Sequence, residues 1–403
     1  MKILLLNQCF YPDVVSTAQH TSDLACALAA RGHEVTVIAG SRGYDDPKLR
    51  FPSEQTWKGV RIYRVPSLPT GKGSKAKRAL NIGSFFLTCF WRLLSMGRFD
   101  TVIALTSPPL ISAMAALFVK LKGGRFVYWI MDLNPDEAIA AGWLRADSQT
   151  ARLLGSALMF SANTATSIVV LDRFMRDRMA AKGLAPAKLK TLPPWSHDRE
   201  VRFNPSGREA FRAKHNLTGK YVVMYSGNHS PCHPLDTILE AAAQLASDSG
   251  IHFCFVGGGS EYAKVRTFAA DRKLNNVLCL PYQPLAELSA SLSSADLHLV
   301  VLGDPMAGLV HPCKIYNVMA IGIPVLFIGP AASHIGDIAE SNPDLPISLF
   351  EHGDVTGVVA AINAARIRLG AASALPHERM RVAAKEFSVD CLLPQFTALI
   401  ETA

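Results

Sequence analysis

Residues 311–326, HPCKIYNVMAIGIPVL, are the stretch from which the fold is best interpreted. A polar loop with Lys314 runs into a short helical pattern, Gly322 ends that helix, and Pro324 leads into an apolar run. Helix N-termini have free N–H groups and a partial positive charge, and Lys314 adds a full charge. The stretch therefore predicts a helix-to-strand connection that holds the diphosphate of a nucleotide. It also fits an ordinary αβ connection with an exposed lysine.

Apolar runs of strand length alternate with helical patterns on both sides of this stretch. Most runs are nearly continuous, which is typical of strands buried on both faces of a parallel sheet. The sequence therefore predicts an α/β protein with two doubly wound, Rossmann-like parallel sheets. The predicted strands lie at 3–6, 34–38, 60–65, 101–105, 126–129 and 167–171, and then at 221–225, 252–256, 277–280, 297–302 and 324–328.

A polar segment with two prolines, 192–200, separates the two series of strands. We predict an N-terminal domain over residues 1–195 and a C-terminal domain over 196–385. Parallel sheets bind ligands at their carboxyl ends. The sequence thus predicts a central cleft between the two domains.

Composition narrows the class of partner. The 403 residues are 49% hydrophobic and 18% charged, with a net charge of +8 that suits a nucleotide, a nucleic acid or an acidic membrane. Aromatic residues make up 8% and form no Arg-rich platform, so no nucleic acid partner is expected.

The eight cysteines form no Cys-x-x-Cys pair, which indicates a reducing compartment and no metal site. We find neither a signal peptide nor a membrane-spanning run, so we expect a cytoplasmic protein.

Two glycine-containing turns follow strands of the second series. In the first, Gly227 lets the backbone approach a ligand, and Asn228 and His229 can contact phosphate or sugar; a simple βα turn is the alternative. In the second, Gly257 and Gly258 either contact a ligand or relieve crowding of the backbone.

Carboxylates and hydroxyls follow strands of the first series. Asp132 can orient an acceptor hydroxyl or accept its proton, and Asp136 lies nearby. The alternative is a helix start with Asn134 as its N-cap, which leaves Asp132 unexplained. Ser16 and Thr17 either cap the next helix or bond a ligand.

A basic run with Lys72, Lys75, Lys77 and Arg78 precedes a helical pattern over about 80–96. A wide apolar face beside cations fits peripheral binding of an anionic membrane through about 72–96. A core helix with a solvated basic loop is the alternative. On this helix the polar positions Asn81, Ser84, Thr88, Arg92 and Ser95 form one narrow stripe.

Taken together, these motifs resemble the retaining glycosyltransferases of family four, which have the GT-B fold, and in particular the bacterial colanic-acid and O-antigen branch. The matching segments are FYPD (10–13), RGHEV (31–35), TSPPL (106–110), DLNPD (132–136), LPPW (192–195), YSGN (225–228), VGGG (256–259), AD (295–296) and PCKIYN (312–317).

The resemblance implies a function and a set of roles. The N-terminal domain would bind a lipid-linked glycan acceptor, and the C-terminal domain a nucleotide-diphosphate sugar; a last helix, about 386–403, would pack back on the N-terminal domain. No metal or other cofactor is expected, and the enzyme would work at the inner membrane face. The catalytic residues would be Asp132 and Lys314, with Ser16, Thr17, Asp132 and Asp136 on the acceptor side. The donor would meet Gly227, Asn228, His229, Gly257, Gly258, Tyr282, His311, Lys314 and Asn317.

The chain also departs from the family pattern. Leu309 and Asn317 stand where many relatives have two glutamates, Asn228 and His233 stand near the usual Arg and Lys, and Ser16-Thr17 replaces a glycine pair. The alternatives are a non-catalytic scaffold or partner of another transferase, and a sugar-nucleotide epimerase or hydrolase. A dinucleotide-dependent dehydrogenase does not fit, because no glycine fingerprint follows the first strand.

Overall fold

A computed structural model describes residues 1–43, 48–68, 75–371 and 376–402, without the side chains of 75–79 and 371. Its contacts divide the chain into two compact units, Met1–Pro193 with Leu392–Ala403, and Pro194–Cys391. Within the described ranges, no helix combines the length and the apolar character that crossing a bilayer requires.

The first unit is built on a sheet of strands that are mostly buried on both faces. Residues 3–6 are fully buried, as their unbroken apolar run predicts. The strands are β1 (Lys2–Leu6), β2 (Glu34–Gly40), β3 (Glu54–Trp57), β4 (Val60–Val65), β5 (Thr101–Ala104), β6 (Arg125–Trp129), β7 (Ser167–Val170) and β8 (Leu189–Thr191). Their order is β3-β4-β2-β1-β5-β6-β7-β8, with β3 antiparallel to β4 and the other neighbours parallel.

Helices connect these strands, as the alternating pattern predicts. They are α1 (Ser16–Ala30), α2 (Lys75–Leu94), α3 (Ile111–Lys122), α4 (Asp136–Ala140), α5 (Gln149–Thr164) and α6 (Arg173–Ala181).

The second unit contains a parallel sheet in the order β11-β10-β9-β12-β13-β14. The strands are β9 (Tyr221–Asn228), β10 (Ile251–Gly258), β11 (Val277–Leu280), β12 (Leu297–Val301), β13 (Val325–Ile328) and β14 (Ile347–Phe350). Its helices are α7 (Pro205–Lys214), α8 (Asp236–Gln244), α9 (Tyr262–Asp271), α10 (Leu285–Ser293), α11 (Lys314–Ile321), α12 (His334–Ser341), α13 (Val355–Ala371) and α14 (Glu378–Ala384).

The stretch 311–326 has the predicted order of helix and strand. α11 ends at Gly322, whose φ of +76° places it in the left-handed region, and β13 follows. A Cβ on Gly322 would lie 2.7 Å from Pro376, so the packing also requires glycine here. The prediction of a helix stop at this residue is confirmed.

Three strands were not predicted, because their sequences do not form long apolar runs. β3 is an edge strand that alternates between exposed and half-buried residues, and β8 has three residues of which two are exposed. β14 is the edge of the second sheet, and its residues are half-buried or exposed.

The last helix, α15 (Val389–Thr402), places its C-terminal part in the first unit. The ring of Phe396 lies 4.3 Å from that of Trp129, centroid to centroid. Glu401 accepts hydrogen bonds from Arg31 at 2.7 and 2.6 Å, and one of its oxygens is 2.8 Å from His33 Nε2. These bonds hold the pKa of Glu401 down at about 2.

Candidate functional site

Two glycine-containing turns lie side by side at the carboxyl ends of β9 and β10. The strands pair in register up to Gly257 opposite Gly227 and Gly258 opposite Asn228. A Cβ on Gly257 would lie 2.0 Å from the Gly227 carbonyl oxygen, and its φ of +138° is one that side chains rarely adopt. Gly257 therefore lets the two turns approach each other, which favours the crowding interpretation for this residue.

Lys314 is the first residue of α11, and its ammonium group lies beside the first turn. Its Nζ is 3.8 Å from the centroid of the Tyr225 ring, and a Cβ on Gly227 would lie 3.2 Å from Nζ. Among the described residues, this buried nitrogen has neither a hydrogen-bond acceptor nor a carboxylate partner. The exposed-lysine alternative is thus wrong. A buried cation without a counter-charge is the environment that an anionic ligand completes.

The titratable groups around Lys314 are mainly nitrogen bases. Burial lowers the pKa of Lys314 to about 7. Burial, followed by the charge of Lys314, lowers the pKa of His229 to about 4 and that of His233 to about 3. An anionic ligand raises all three pKa values, so the site gains positive charge as such a ligand binds.

Asn228 and His229 differ in their environments. Asn228 is exposed at the end of β9, whereas His229 is fully buried between the rings of Tyr225 and Tyr262. The Nδ1 of His229 lies 3.0 Å from the Gly227 carbonyl oxygen, and its backbone N–H donates to the Gly258 carbonyl at 2.7 Å. His229 therefore ties the two turns together, and Asn228 is the side chain open to a ligand.

Tyr282 lies just beyond β11, at the same edge of the sheet. Its hydroxyl donates to the Gly258 carbonyl oxygen at 3.3 Å, and a Cβ on Gly258 would lie 3.0 Å from the tyrosine ring. The ring is half exposed, so one part is packed against the second turn and the rest is open. The contact of Tyr282 with the donor remains a prediction.

His311 belongs to a hydrogen-bonded group that the sequence did not reveal. The hydroxyl of the buried Tyr316 lies 2.6 Å from His311 Nε2 and 2.6 Å from His334 Nε2. One imidazole accepts the hydroxyl proton and the other donates to the oxygen. The spacing of His311 and Tyr316 brings them together across the start of α11, but His334 comes from the next helix and gave no local signal.

The two positions where relatives have glutamates are occupied differently here. Leu309 is buried at 2% exposure and offers no polar group. Asn317 is half-buried, and its Oδ1 accepts a hydrogen bond from the His197 backbone N–H at 3.0 Å.

In the first unit, Asp132 and Asp136 follow β6. The Asp132 backbone N–H donates to Thr106 Oγ1 at 3.4 Å, and the residue is partly exposed. The Asp136 carboxylate pairs with Lys182 at 2.7 Å, which gives it a structural partner. The N-cap interpretation of Asn134 is wrong: its Nδ2 donates to Glu137 Oε2, and Pro135 takes the cap position.

Ser16 and Thr17 begin α1 and do not cap it. Val15 occupies the cap position, without a side-chain bond. The Ser16 hydroxyl lies 3.3 Å from His20 Nδ1, and the Thr17 carbonyl accepts from the Thr21 hydroxyl at 2.5 Å. The capping interpretation is therefore wrong, because both residues lie within the first turn. Their acceptor role stays a prediction.

Helix α2 turns its polar stripe toward the protein. Ser84 accepts from the Leu68 N–H at 2.9 Å, Thr88 donates to the Pro66 carbonyl at 2.8 Å, and Arg92 pairs with Glu54 at 3.2 Å. The outward residues are apolar, with Leu80 57%, Leu87 60% and Trp91 63% exposed. The core-helix alternative is confirmed for Phe85, Cys89 and Leu93, which are buried, and is wrong only for these outward positions. Lys72 and the side chains of Lys75, Lys77 and Arg78 lie outside the described residues.

The structure brings seven predicted donor residues together at the carboxyl end of the second sheet. It places the acceptor-side residues in the first unit. Tyr225 and His233 were missed as members of the group around Lys314, although both lie in or beside the first turn. The described residues contain no group of three His, Cys, Asp or Glu that could hold a metal ion. The seven donor residues are Gly227, Asn228, His229, Gly257, Gly258, Tyr282 and Lys314.

Comparison with protein families gives a match in each half of the chain. Residues 17–195 match the model of the "Glycosyl transferase 4-like domain", and residues 207–333 match "Glycosyl transferases group 1".

Two curated relatives are similar in sequence. The putative colanic acid biosynthesis glycosyl transferase WcaI of Escherichia coli (strain K12) is 28% identical over 379 residues, 91% of this chain and 92% of the relative. The probable glycosyltransferase WbjE of Pseudomonas aeruginosa is 29% identical over 259 residues, 62% of this chain and 64% of the relative.

Solved structures share the fold. Sucrose-phosphate synthase from Thermosynechococcus elongatus has a TM-score of 0.76 at 16% identity, covering 100% of this chain and 98% of the other. HepE from Anabaena, solved with UDP and glucose, has a TM-score of 0.76 at 16% identity, and WaaG, a glycosyltransferase of lipopolysaccharide biosynthesis, 0.72 at 17%. Each of these two alignments covers both chains fully.

Proposed function

We propose that this chain, which has the GT-B fold and matches a glycosyltransferase family model in each half, transfers a sugar, of hexose type, from a nucleotide-diphosphate donor to a lipid-linked glycan acceptor. The transfer proceeds with retention of anomeric configuration and serves the synthesis of a cell-surface polysaccharide. Two similar proteins support this substrate class, since WcaI is named for colanic acid biosynthesis and WaaG is described as a glycosyltransferase of lipopolysaccharide biosynthesis.

The observation that carries the donor proposal is the buried Nζ of Lys314 at the N-terminus of α11. The described residues give this cation no counter-charge, and the open side chain of Asn228 lies on the neighbouring turn. A diphosphate supplies the missing negative charge to both the ammonium and the free N–H groups of the helix. Nucleotide binding by HepE is consistent with such a donor.

The proposed mechanism uses the donor's own phosphate as the base. The bond between the anomeric carbon and the diphosphate oxygen breaks, and the acceptor oxygen bonds to that carbon from the same face. The acceptor proton passes to the departing diphosphate. Lys314 stabilises the charge that grows on the diphosphate, and Asp132 orients the acceptor hydroxyl. No metal ion or other cofactor is required in this scheme.

The acceptor's lipid places the enzyme at the inner face of the membrane, bound peripherally from the cytoplasm. Leu80, Leu87 and Trp91 present apolar surface on α2. Residues 55–131 contain twelve Lys and Arg residues and a single acidic residue, Asp100. An apolar helix face within so basic a segment fits an anionic bilayer.

Transfer is tested by incubating the protein with nucleotide sugars and a lipid-linked glycan extract, and by determining the anomeric configuration of the product by NMR. The proposal expects a lipid-linked product that keeps the donor's configuration. An inverted product refutes retention. Conversion of a nucleotide sugar without any acceptor indicates the epimerase alternative. If no donor is bound or consumed, the protein is instead a scaffold, which agrees with the apolar, buried Leu309.

Membrane binding is tested by sedimentation with phosphatidylglycerol vesicles, with phosphatidylcholine vesicles for comparison. The wild type should sediment with the anionic vesicles, and the double variant Leu87→Ser/Trp91→Ser should do so at least about tenfold less, since it loses two apolar contacts. Ile367→Ser, which alters a residue 73% exposed on α13, is the matched control. Equal sedimentation of all three proteins would refute the role of α2.

A further inference from the structure

The chain passes between the two units twice, after Pro193 and after Cys391. The segments just inside the second unit are bonded to each other. The Ser196 N–H donates to the Phe387 carbonyl at 2.7 Å. The Asp198 Oδ1 accepts from the Val389 N–H at 3.0 Å and from the Ser196 hydroxyl at 2.9 Å. We call residues 194–198 and 387–391 the two crossing segments.

Helix α11 holds both crossing segments through consecutive residues. The Oδ1 of Asn317 accepts from the His197 N–H at 3.0 Å, which fixes the first segment. The ring of Tyr316 stacks on Phe387, with centroids 4.5 Å apart and planes 24° apart, which fixes the second. A single turn of α11 therefore contacts both crossing segments.

The same turn is attached to the proposed nucleotide site. Lys314 begins α11, and the Tyr316 hydroxyl is held at 2.6 Å by both His311 and His334. Tyr316 is fully buried, so its position follows that of the helix and its two histidine partners. A ligand that orders the N-terminus of α11 therefore also orders the groups that hold the crossing segments.

We infer that Asn317 and Tyr316 are positioning residues that couple occupancy of the nucleotide site to the conformation of both crossing segments. The inference rests on the proposed function. Asn317 stands where many relatives have glutamate, and the inference gives it a role that this difference does not suggest. Its side-chain oxygen bonds the first crossing segment, while its amide N–H groups remain available to a ligand hydroxyl. Asn317 and Tyr316 act through the backbone of residues 196–198 and 387–389 and need not touch the reacting atoms.

The test is hydrogen exchange of the crossing segments, with and without UDP, GDP, ADP and inorganic pyrophosphate, alongside the Tm of each mixture. In the wild type, the probe that raises Tm should slow exchange at 196–198 and 387–389 by about fivefold or more, the range of ordinary coupling energies. In Asn317→Leu, the concentration of that probe is raised until the rise in Tm equals that of the wild type, and at this matched occupancy the slowing at 196–198 should vanish. Asn317→Asp keeps an acceptor oxygen for the His197 N–H and should restore it.

Tyr316→Phe and Val382→Ala complete the set. Tyr316→Phe keeps the stacking on Phe387 but loses the histidine bonds, so it should weaken the slowing at 387–389. Val382→Ala changes an exposed residue of α14 and should behave as wild type.

The outcomes separate the inference from the function beneath it. A probe that raises Tm without slowing exchange in either segment overturns the coupling and leaves the donor proposal standing, as does equal slowing in Asn317→Leu and wild type. No rise in Tm with any probe contradicts the donor proposal itself, and the coupling falls with it.

Discussion

Replacing Lys314 by Met should stabilise the ligand-free protein while abolishing its binding of nucleotide diphosphates. Met is unbranched and of similar length, so it can take the place of the lysine side chain beside Tyr225. Burial lowers the pKa of Lys314 from 10.5 to about 7. At 1.36 kcal/mol per pKa unit, the charged form is destabilised in the folded protein by about 5 kcal/mol. At pH 7 the cost is about 4 kcal/mol, because the folded group is then half neutral.

The Tyr225 ring, whose centroid lies 3.8 Å from Nζ, belongs to the folded environment in which Lys314 titrates, so its attraction for the cation is already part of this cost. The gain of Lys314→Met is therefore up to about 4 kcal/mol at pH 7. For a unit of about 200 residues, this raises Tm by up to roughly 8–16 °C.

The pH dependence distinguishes this explanation from a simple packing effect. The folded protein binds fewer protons than the unfolded chain between pH 7 and 10.5, so this lysine makes stability rise with pH in that window. Below pH 7 the group is charged in both states and the full cost remains. In urea unfolding from pH 6 to 10, the free energy of unfolding of the wild type should rise relative to that of Lys314→Met. If Lys314→Met is less stable at pH 7 and the difference does not depend on pH, burial of the lysine charge does not destabilise the folded protein.

Three further predictions concern the turns, the last helix and the acceptor side. Gly257→Ala should lower the free energy of unfolding in urea by about 3 kcal/mol, because the new Cβ meets the Gly227 carbonyl. Gly83→Ala is the control and should not lower it, because the space around Gly83 is open. Glu401→Gln should lower Tm at pH 7 and remove the loss of stability that the wild type shows as pH falls from 4.5 toward 2, as acid unfolding of both proteins will show. Asp132→Asn should lower kcat of sugar transfer about 100-fold without changing Tm; unchanged kcat excludes its role.

The fold could be predicted because buried parallel strands have unbroken apolar sequences. The runs at 3–6 and 221–225 lie in β1 and β9, and only short or edge strands such as β3 were missed among the described residues. Edge strands have one open side and half-exposed residues, so their sequences resemble loops.

The site could be predicted only in part, because side-chain partners depend on distant segments. The sequence identified Lys314 but gave no sign that its ammonium is buried against Tyr225, which comes from β9. It gave Asn317 a ligand contact but not the bond to His197, 120 residues away. For α2 the period of the polar stripe was recognised, but sequence spacing does not tell which face of a helix meets the protein.

The nucleotide-diphosphate site at Lys314 can be tested by thermal denaturation of the wild type and Lys314→Met with UDP, GDP, ADP, CMP and dTDP and their common sugar conjugates. Binding to the folded state raises Tm by mass action. We expect one nucleotide diphosphate and its sugar conjugate to raise the Tm of the wild type and to leave that of Lys314→Met unchanged. No rise with any nucleotide, or an equal rise in both proteins, would contradict a nucleotide-diphosphate site at the start of α11.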